Sequence, residues 1–415
     1  MNANKREVTV LGGGIVGVAC ALYLQRDGHT VTLIDRGAPG DGCSRGNAGI
    51  FATEHVMPLA TPGNIRKVPR MLLDPRAPLC IRWRYLPRML PWLWRFASCA
   101  HSNTIAASAR ALAALQSGAL AAYGPLLDQA QARELVRAGG WMCVYESEKE
   151  FRAGRFERDL QRHHGIRVEE LTVDDVRARA PAVSRSVRRG VLFPDSAYTV
   201  NPHRLVQMLA ADFRRRGGIV RQATVNDVEV LPGQRTRVHT DSGPHETDAV
   251  VVALGAWSGQ ISAELGSPVP LETERGYHVT LPQPGIDIGL PIMFGEHRFF
   301  ATPLEHGLRL AGTVELASLD APPNYTRARV LLAHARRLLP RLQTQEYSLW
   351  MGCRPTLPDS LPVIGRSPRH RNVYFAFGHQ HLGLTLAGIT GRLVANQLAG
   401  RKNDIDLTPY RIDRF

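Results

Sequence analysis

The sequence predicts an α/β fold, and three observations lead there. A buried strand, a glycine-rich turn and a helix follow one another within the first 35 residues. A second strand–glycine turn–helix occupies 372–398. The chain is also long, 415 residues with 44% hydrophobic content, enough for two or three interleaved units. Such a composition, without biased repeats, excludes disordered and fibrous classes.

The first unit is the most specific. Glu7–Leu11 (EVTVL) alternates and is rich in β-formers, as a buried strand should be. GGGIVG then places glycines at Gly12, Gly14 and Gly17. Ile15–Arg26 reads as a helix, Gly28 as its stop, and Thr30–Ile34 as a second strand ending at Asp35. Gly12 permits the tight turn, Gly14 lets backbone approach a pyrophosphate, and Gly17 lets the helix sit close to the sheet. The helix start at Ile15 and Val16 offers free amides and a positive dipole end to phosphate. Asp35, with Arg36 beside it, stands where a ribose hydroxyl would be bound. This order of strand, turn, helix, strand and acid predicts dinucleotide binding, without choosing between FAD and NAD.

Charge is less informative than it looks. The chain carries 51 basic and 37 acidic residues, a net charge of +14. Only four of the basic residues are lysines, no block of like charges occurs, and total charge is a low 21%. The imbalance reflects scarce acids, so no nucleic-acid partner is expected. Six scattered cysteines, without a C-x-x-C pair or zinc spacing, predict free thiols in a reducing compartment and no metal site. The glycines within Val8–Leu24 argue against a signal peptide, and no uncharged apolar run long enough to span a membrane is found. A cytoplasmic protein is expected.

Further along, Gly42–Phe51 (GCSRGNAGIF) mixes small and polar residues. It suits a loop wrapping a cofactor with Ser44, Arg45 and the backbone of Asn47, Ala48, Gly49 and Ile50. Ala249–Leu254 is another buried strand; after it, Gly255 and Trp257 mark either a chain crossing close to a ligand or a plain turn. Trp350–Gly365 (WMGCRPTLPDSLPVIG) is proline-rich and too irregular for a helix, which holds Arg354 between stiff neighbours. After strand Asn372–Phe377 comes GHQHLGLT, then a helix over Leu386–Leu398. Its start again favours nearby negative charge.

GGGIVG with Asp35, the GNAGIF loop, ERGYH at Glu274–His278, GCRPTLPDSLPVIG and FGHQHLGLT occur in one order along most of the chain. Together they resemble the FAD-dependent D-amino acid dehydrogenase and oxidase superfamily, most closely the bacterial D-amino acid dehydrogenases, D-hydroxyproline-type enzymes included. The resemblance implies a Rossmann-type FAD-binding domain from residues 1–50, 198–262 and 350–415. An interleaved substrate domain on a mainly antiparallel sheet would comprise 51–197 and 263–349. The helix at 202–217 and strand at 218–224 would return to the FAD domain, with Val225 near adenine.

The implied chemistry is oxidative deamination of a D-amino or cyclic imino acid, by hydride transfer from Cα to flavin N5. A planar guanidinium grips a carboxylate bidentately, so Arg354 is the expected clamp. The Tyr277 hydroxyl is a second candidate, either for substrate or merely satisfied inside the protein. Arg275 either holds its loop or touches ligand. Around the second glycine turn, Gly378, His379, His381, Leu382, Gly383, Leu384 and Thr385 are expected to line the cofactor and stabilise its negative charge, with His379 as a donor. Some relatives attach FAD through a cysteine; Cys353 lies one residue from that position, so non-covalent FAD is expected.

Ile81–Phe96 (IRWRYLPRMLPWLWRF) interleaves aromatics with arginines. It reads either as a wall or lid of the substrate domain or as a peripheral membrane contact, interrupted by Pro87 and Pro91. A membrane contact would suit a quinone or electron-transfer protein as electron acceptor. Two rivals accompany the dehydrogenase reading: an oxidase for glycine, sarcosine or D-amino acids, and a basic binding protein on a dinucleotide-fold scaffold.

Overall fold

A computed structural model describes residues 5–73 and 77–415. Glu7–Leu11, buried from Val8 onward, lies at the centre of a six-stranded sheet. Its order is Ile219–Gln222, Thr30–Asp35, Glu7–Leu11, Ala249–Val252, Val373–Phe377 and Val363–Arg366, all pairs parallel except the last. Runs of Val, Leu and Ile buried on both faces are what a parallel sheet covered by helices demands.

The helices Ile15–Arg26 and Gly383–Leu398 cross at small residues. A Cβ on Gly391 would lie 2.7 Å from the Ala19 carbonyl oxygen, so the glycine sets the approach of the two backbones. The C-terminal helix begins three residues earlier than its sequence suggested, after a turn over Gln380–Leu382.

A second sheet of nine strands runs Ser348–Thr356, Glu272–Leu281, Gly307–Leu316, Phe299–Leu304, Ile292–Phe294, Trp141–Tyr145, Arg189–Phe193 and Glu169–Leu171, with Leu79–Ile81 added beside Gly307–Leu316. Its pairs are antiparallel except two.

Two segments sit elsewhere than the sequence boundaries place them. Residues 350–356 form part of the Ser348–Thr356 strand, paired along its length with Glu272–Leu281 in the nine-stranded sheet. Helices Ser102–Ser117 and Ala119–Gln129 join the core of the parallel sheet, through Leu112, Leu115, Tyr123 and Leu126. The reason is close packing: Gly388 leaves room for the Ala122 backbone, and the Tyr123 hydroxyl donates to the Leu384 carbonyl at 2.5 Å. By length and composition Ser102–Gln129 would be long and apolar enough to cross a membrane, contrary to the sequence expectation, but half of it is buried in the fold.

Ile81–Phe96 resolves into two faces. Helix Leu86–Ser98 buries Met89 and Trp92, and Trp92 stacks on Phe96 with centroids 5.1 Å apart. Trp83 and Trp94 face outward, 64% and 78% exposed. Trp92 is therefore a packing residue and not part of an outward-facing surface.

Candidate active site

A cavity of about 1550 Å³ lies at the C-terminal ends of the central parallel strands and extends against the second sheet. Open α/β sheets bind ligands in that crevice, and roughly 300–1000 Å³ suffices for a drug-sized molecule. The space admits a dinucleotide together with a small substrate.

At one end lies the first glycine turn. Gly12 has φ +109°, and a Cβ there would stand 2.3 Å from the Ala253 carbonyl oxygen. Gly17 does not line the cavity; its missing side chain lets the helix pass the Gly12 carbonyl, 1.8 Å from where a Cβ would be. Gly14, Ile15 and Val16 face the cavity, and Ser44 Oγ accepts from the Ile15 amide at 3.0 Å. Asp35 accepts from the Gly13 and Gly37 amides at 2.6 and 2.8 Å, so its carboxylate braces both turns. Each oxygen keeps a lone pair for a further donor. The Arg36 guanidinium lies 3.9 Å from the Trp257 ring centroid, and Val225 and Gly255 line the same region. A Cβ on Gly14 would meet only Ser44 Oγ, at 3.6 Å, and with the cavity-facing helix start this forms a cradle that fits a pyrophosphate.

The Gly42–Phe51 loop is held from several sides. Arg309 Nη1 donates to the carbonyls of Arg45 and Asn47, at 3.1 and 2.8 Å. His278 Nδ1 donates to the Gly46 carbonyl at 3.1 Å, and the Cys43 thiol to that of Cys353 at 2.7 Å. Burial lowers the Arg309 guanidinium to about 10 and the His278 imidazole to about 3. Asn47, Ala48 and Ile50 line the cavity; Gly49 does not, and its φ of +85° shapes the turn. Arg309 lies outside every motif in the sequence, and His278 carries no signal beyond its place at the end of ERGYH.

The second glycine turn forms another wall. Gly378, His379, His381, Gly383 and Leu384 line the cavity, while Leu382 and Thr385 lie behind it. Thr385 Oγ1 accepts from the Ala52 amide at 2.9 Å, tying helix to loop. His379 is buried and shares a hydrogen bond with Thr390 Oγ1 at 2.9 Å; burial lowers it to about 3, so it is neutral. His381 packs edge-on against His55, centroids 4.5 Å apart. Burial first, then His55 and Arg354, hold it well below its ordinary value.

Arg354 reaches the cavity from the Ser348–Thr356 strand. Half-buried, it makes no ion pair or hydrogen bond among the described residues. Glu274 stands opposite it in the strand register, with its carboxyl raised by burial and lowered in part by Arg354. Tyr277 lines the cavity. Its hydroxyl donates to Glu315 Oε2 at 2.5 Å and accepts from the Asn324 amide at 2.9 Å. That filled capacity corrects the expectation of a hydroxyl offered to substrate. Arg275 is fully buried, 3.2 Å from Glu315 and donating to the Ala321 carbonyl at 2.6 Å. It holds its loop.

Glu54, absent from the sequence candidates, also lines the cavity. Its carboxyl accepts from Ser196 Oγ at 2.7 Å and Trp141 Nε1 at 3.0 Å, and burial pushes it up to about 7. A lone glutamate in a loop carries no spacing signal; only contacts from 87 and 142 residues away define it.

A family model described as "DAO: FAD dependent oxidoreductase" matches residues 7–397. A D-amino-acid oxidase of Bradyrhizobium diazoefficiens is 37% identical over 99% of both chains. A D-amino acid dehydrogenase of Paramagnetospirillum magneticum is 33% identical, again over 99% of both. Among solved structures, glycine oxidase from Geobacillus kaustophilus superposes with a TM-score of 0.77 at 20% identity, covering 99% of both chains.

Proposed function

The chain belongs to the DAO family of FAD-dependent oxidoreductases, and from that premise we propose that it oxidises D-amino or cyclic imino acids at Cα. Membership in an oxidoreductase family removes the scaffold-only alternative. The observation that carries the substrate reading is Arg354, a half-buried guanidinium with no ion pair or hydrogen bond among the described residues, in the cavity that also holds the dinucleotide turn.

Arg354 takes the substrate carboxylate in a two-pronged grip, which fixes Cα in place. Gly12, Gly14, Ile15, Val16 and the Ser44–Ile50 loop hold FAD, non-covalently. The bound flavin supplies the hydride acceptor. His379 and His381 are neutral and line the wall, where the amides at the start of Gly383–Leu398 favour negative charge. A hydride leaves Cα and a proton leaves the amine; water then hydrolyses the imine to an oxo acid and ammonia, or opens a cyclic imine. Anaerobic addition of a D-amino acid panel tests this: the flavin bands bleach with D-amino acids, and a protein unbleached by every member contradicts it.

Two readings of the electron acceptor remain. A quinone at a membrane is supported by the outward face of Trp83, Leu90 and Trp94, set among Arg84, Arg88 and Arg95. It would place the protein on the cytoplasmic side of that membrane. Oxygen is supported by the relative named D-amino-acid oxidase. Peroxide released during turnover in air selects oxygen; its absence, with turnover restored by a soluble quinone, selects the first.

A further inference from the structure

Glu54 is 3% exposed, yet it forms part of the cavity wall. Both side-chain donors fall on Oε2; Oε1 receives none among the described residues, and beyond them only the residue's own backbone amide assists. No cation pairs with it among the described residues. Arg158, a buried guanidinium near this wall, is engaged by Glu170 and the Phe151 carbonyl. Trp141, Val191, Phe193, Met293 and Phe300 line the same region, together with a second, half-buried carboxyl, Glu157, which acts on Glu54 as a like charge and is itself faced by Arg158 and Arg298. A buried carboxyl facing a cavity without a cation is costly, and such groups mark binding sites.

Its position says which part of a substrate would meet it. Arg354 and Trp141, which anchors Glu54, lie on strands of one sheet separated by four others. Their strands stand apart along the sheet, yet both residues line the one cavity, and His55, next to Glu54, packs on His381, whose imidazole feels Arg354; Glu54 therefore lies in the same cavity as the clamp but not beside it. The α-ammonium of an amino acid stays close to its carboxylate, so with the carboxylate on Arg354 it stays at that end. A group meeting Glu54 belongs to the far end of the side chain.

We propose that the preferred substrate is a D-amino acid with a cationic side-chain end, an ammonium or guanidinium, and that Glu54 selects it. This rests on the substrate reading above, and the test separates the two. Holoenzyme is titrated with 6-aminohexanoate and with hexanoate, which both lack the reactive amine, and binding is read from the flavin spectrum. Affinity for 6-aminohexanoate exceeds that for hexanoate by about tenfold to a hundredfold, the worth of a hydrogen bond to a charged group. Glu54→Gln, which keeps acceptors for Ser196 and Trp141, brings the two affinities together. Anaerobic flavin reduction follows the same order, D-lysine and D-arginine ahead of D-norleucine and cis-4-hydroxy-D-proline. Equal affinities in the wild-type protein, or faster reduction by the neutral substrates, overturn the proposal. Should 6-aminohexanoate bind more tightly while no D-amino acid bleaches the flavin, the Glu54 site stands and the substrate reading fails.

Discussion

The guanidinium of Arg354 lies over Gly276 of the adjacent strand: a Cβ on that glycine would come within 2.3 Å of Nη2 and 2.4 Å of Cζ. The glycine clears the space in which the arginine lies. Gly276→Ala pushes a flexible side-chain end and leaves the strands paired. It therefore raises KM for amino acids by about tenfold, an energy near 1.4 kcal/mol, with little change in flavin content. Steady-state kinetics with flavin quantification check this.

At the other end, Gly17→Ala brings a methyl group against the Gly12 carbonyl oxygen, where backbone cannot yield. Loss of flavin from the purified protein is expected, together with a lower unfolding midpoint. Absorbance in the flavin bands and a denaturant titration measure both.

Glu54 makes stability depend on pH. Its carboxyl sits at about 7 in the folded protein against 4.5 for an ordinary glutamate. The folded state therefore holds the proton more tightly, and the cost of ionising Glu54 is absent below about pH 4.5, grows between the two values and is complete above about pH 7. At 1.36 kcal/mol per unit it amounts to about 3 kcal/mol. Glu54→Gln removes the cost, so urea unfolding shows the variant gaining stability over wild type at pH 8 and not at pH 4.5.

The outward aromatic face and the inward one separate by mutation. Trp83→Ser with Trp94→Ser abolishes co-sedimentation with anionic vesicles and leaves flavin reduction intact. Trp92→Ser instead empties a buried site stacked on Phe96 and lowers stability by about 3 kcal/mol. Vesicle binding unchanged in the double variant removes the membrane reading.

What could be read from sequence divides by the range of its causes. The Gly12–Gly17 turn was legible because each glycine answers a local steric demand within one strand–turn–helix. Arg354 was singled out through the stiff residues around it; it does line the cavity, from a strand and not an irregular loop, and its part as a clamp is the proposal above. Which of its two roles the Tyr277 hydroxyl takes could not be read from sequence, because its partner, Glu315, lies on a neighbouring strand 38 residues away. Helices Ser102–Ser117 and Ala119–Gln129 were assigned to the wrong layer because small residues on the distant C-terminal helix, Gly388 among them, receive them. Glu54 was invisible for the same reason: its burial comes entirely from residues remote in sequence.

The central claim joins a bound flavin to a carboxylate clamp at Arg354. Anaerobic stopped-flow reduction of the holoenzyme by a D-amino acid, compared with Arg354→Met and Arg354→Lys at equal flavin content, tests it most directly. Bleaching is expected in the wild type, with a rate at low substrate about a hundredfold lower in Arg354→Met and partial recovery in Arg354→Lys, because an ammonium restores charge without the planar fork. A wild-type flavin that no D-amino acid reduces, or an Arg354→Met variant reduced as fast as wild type, would contradict it.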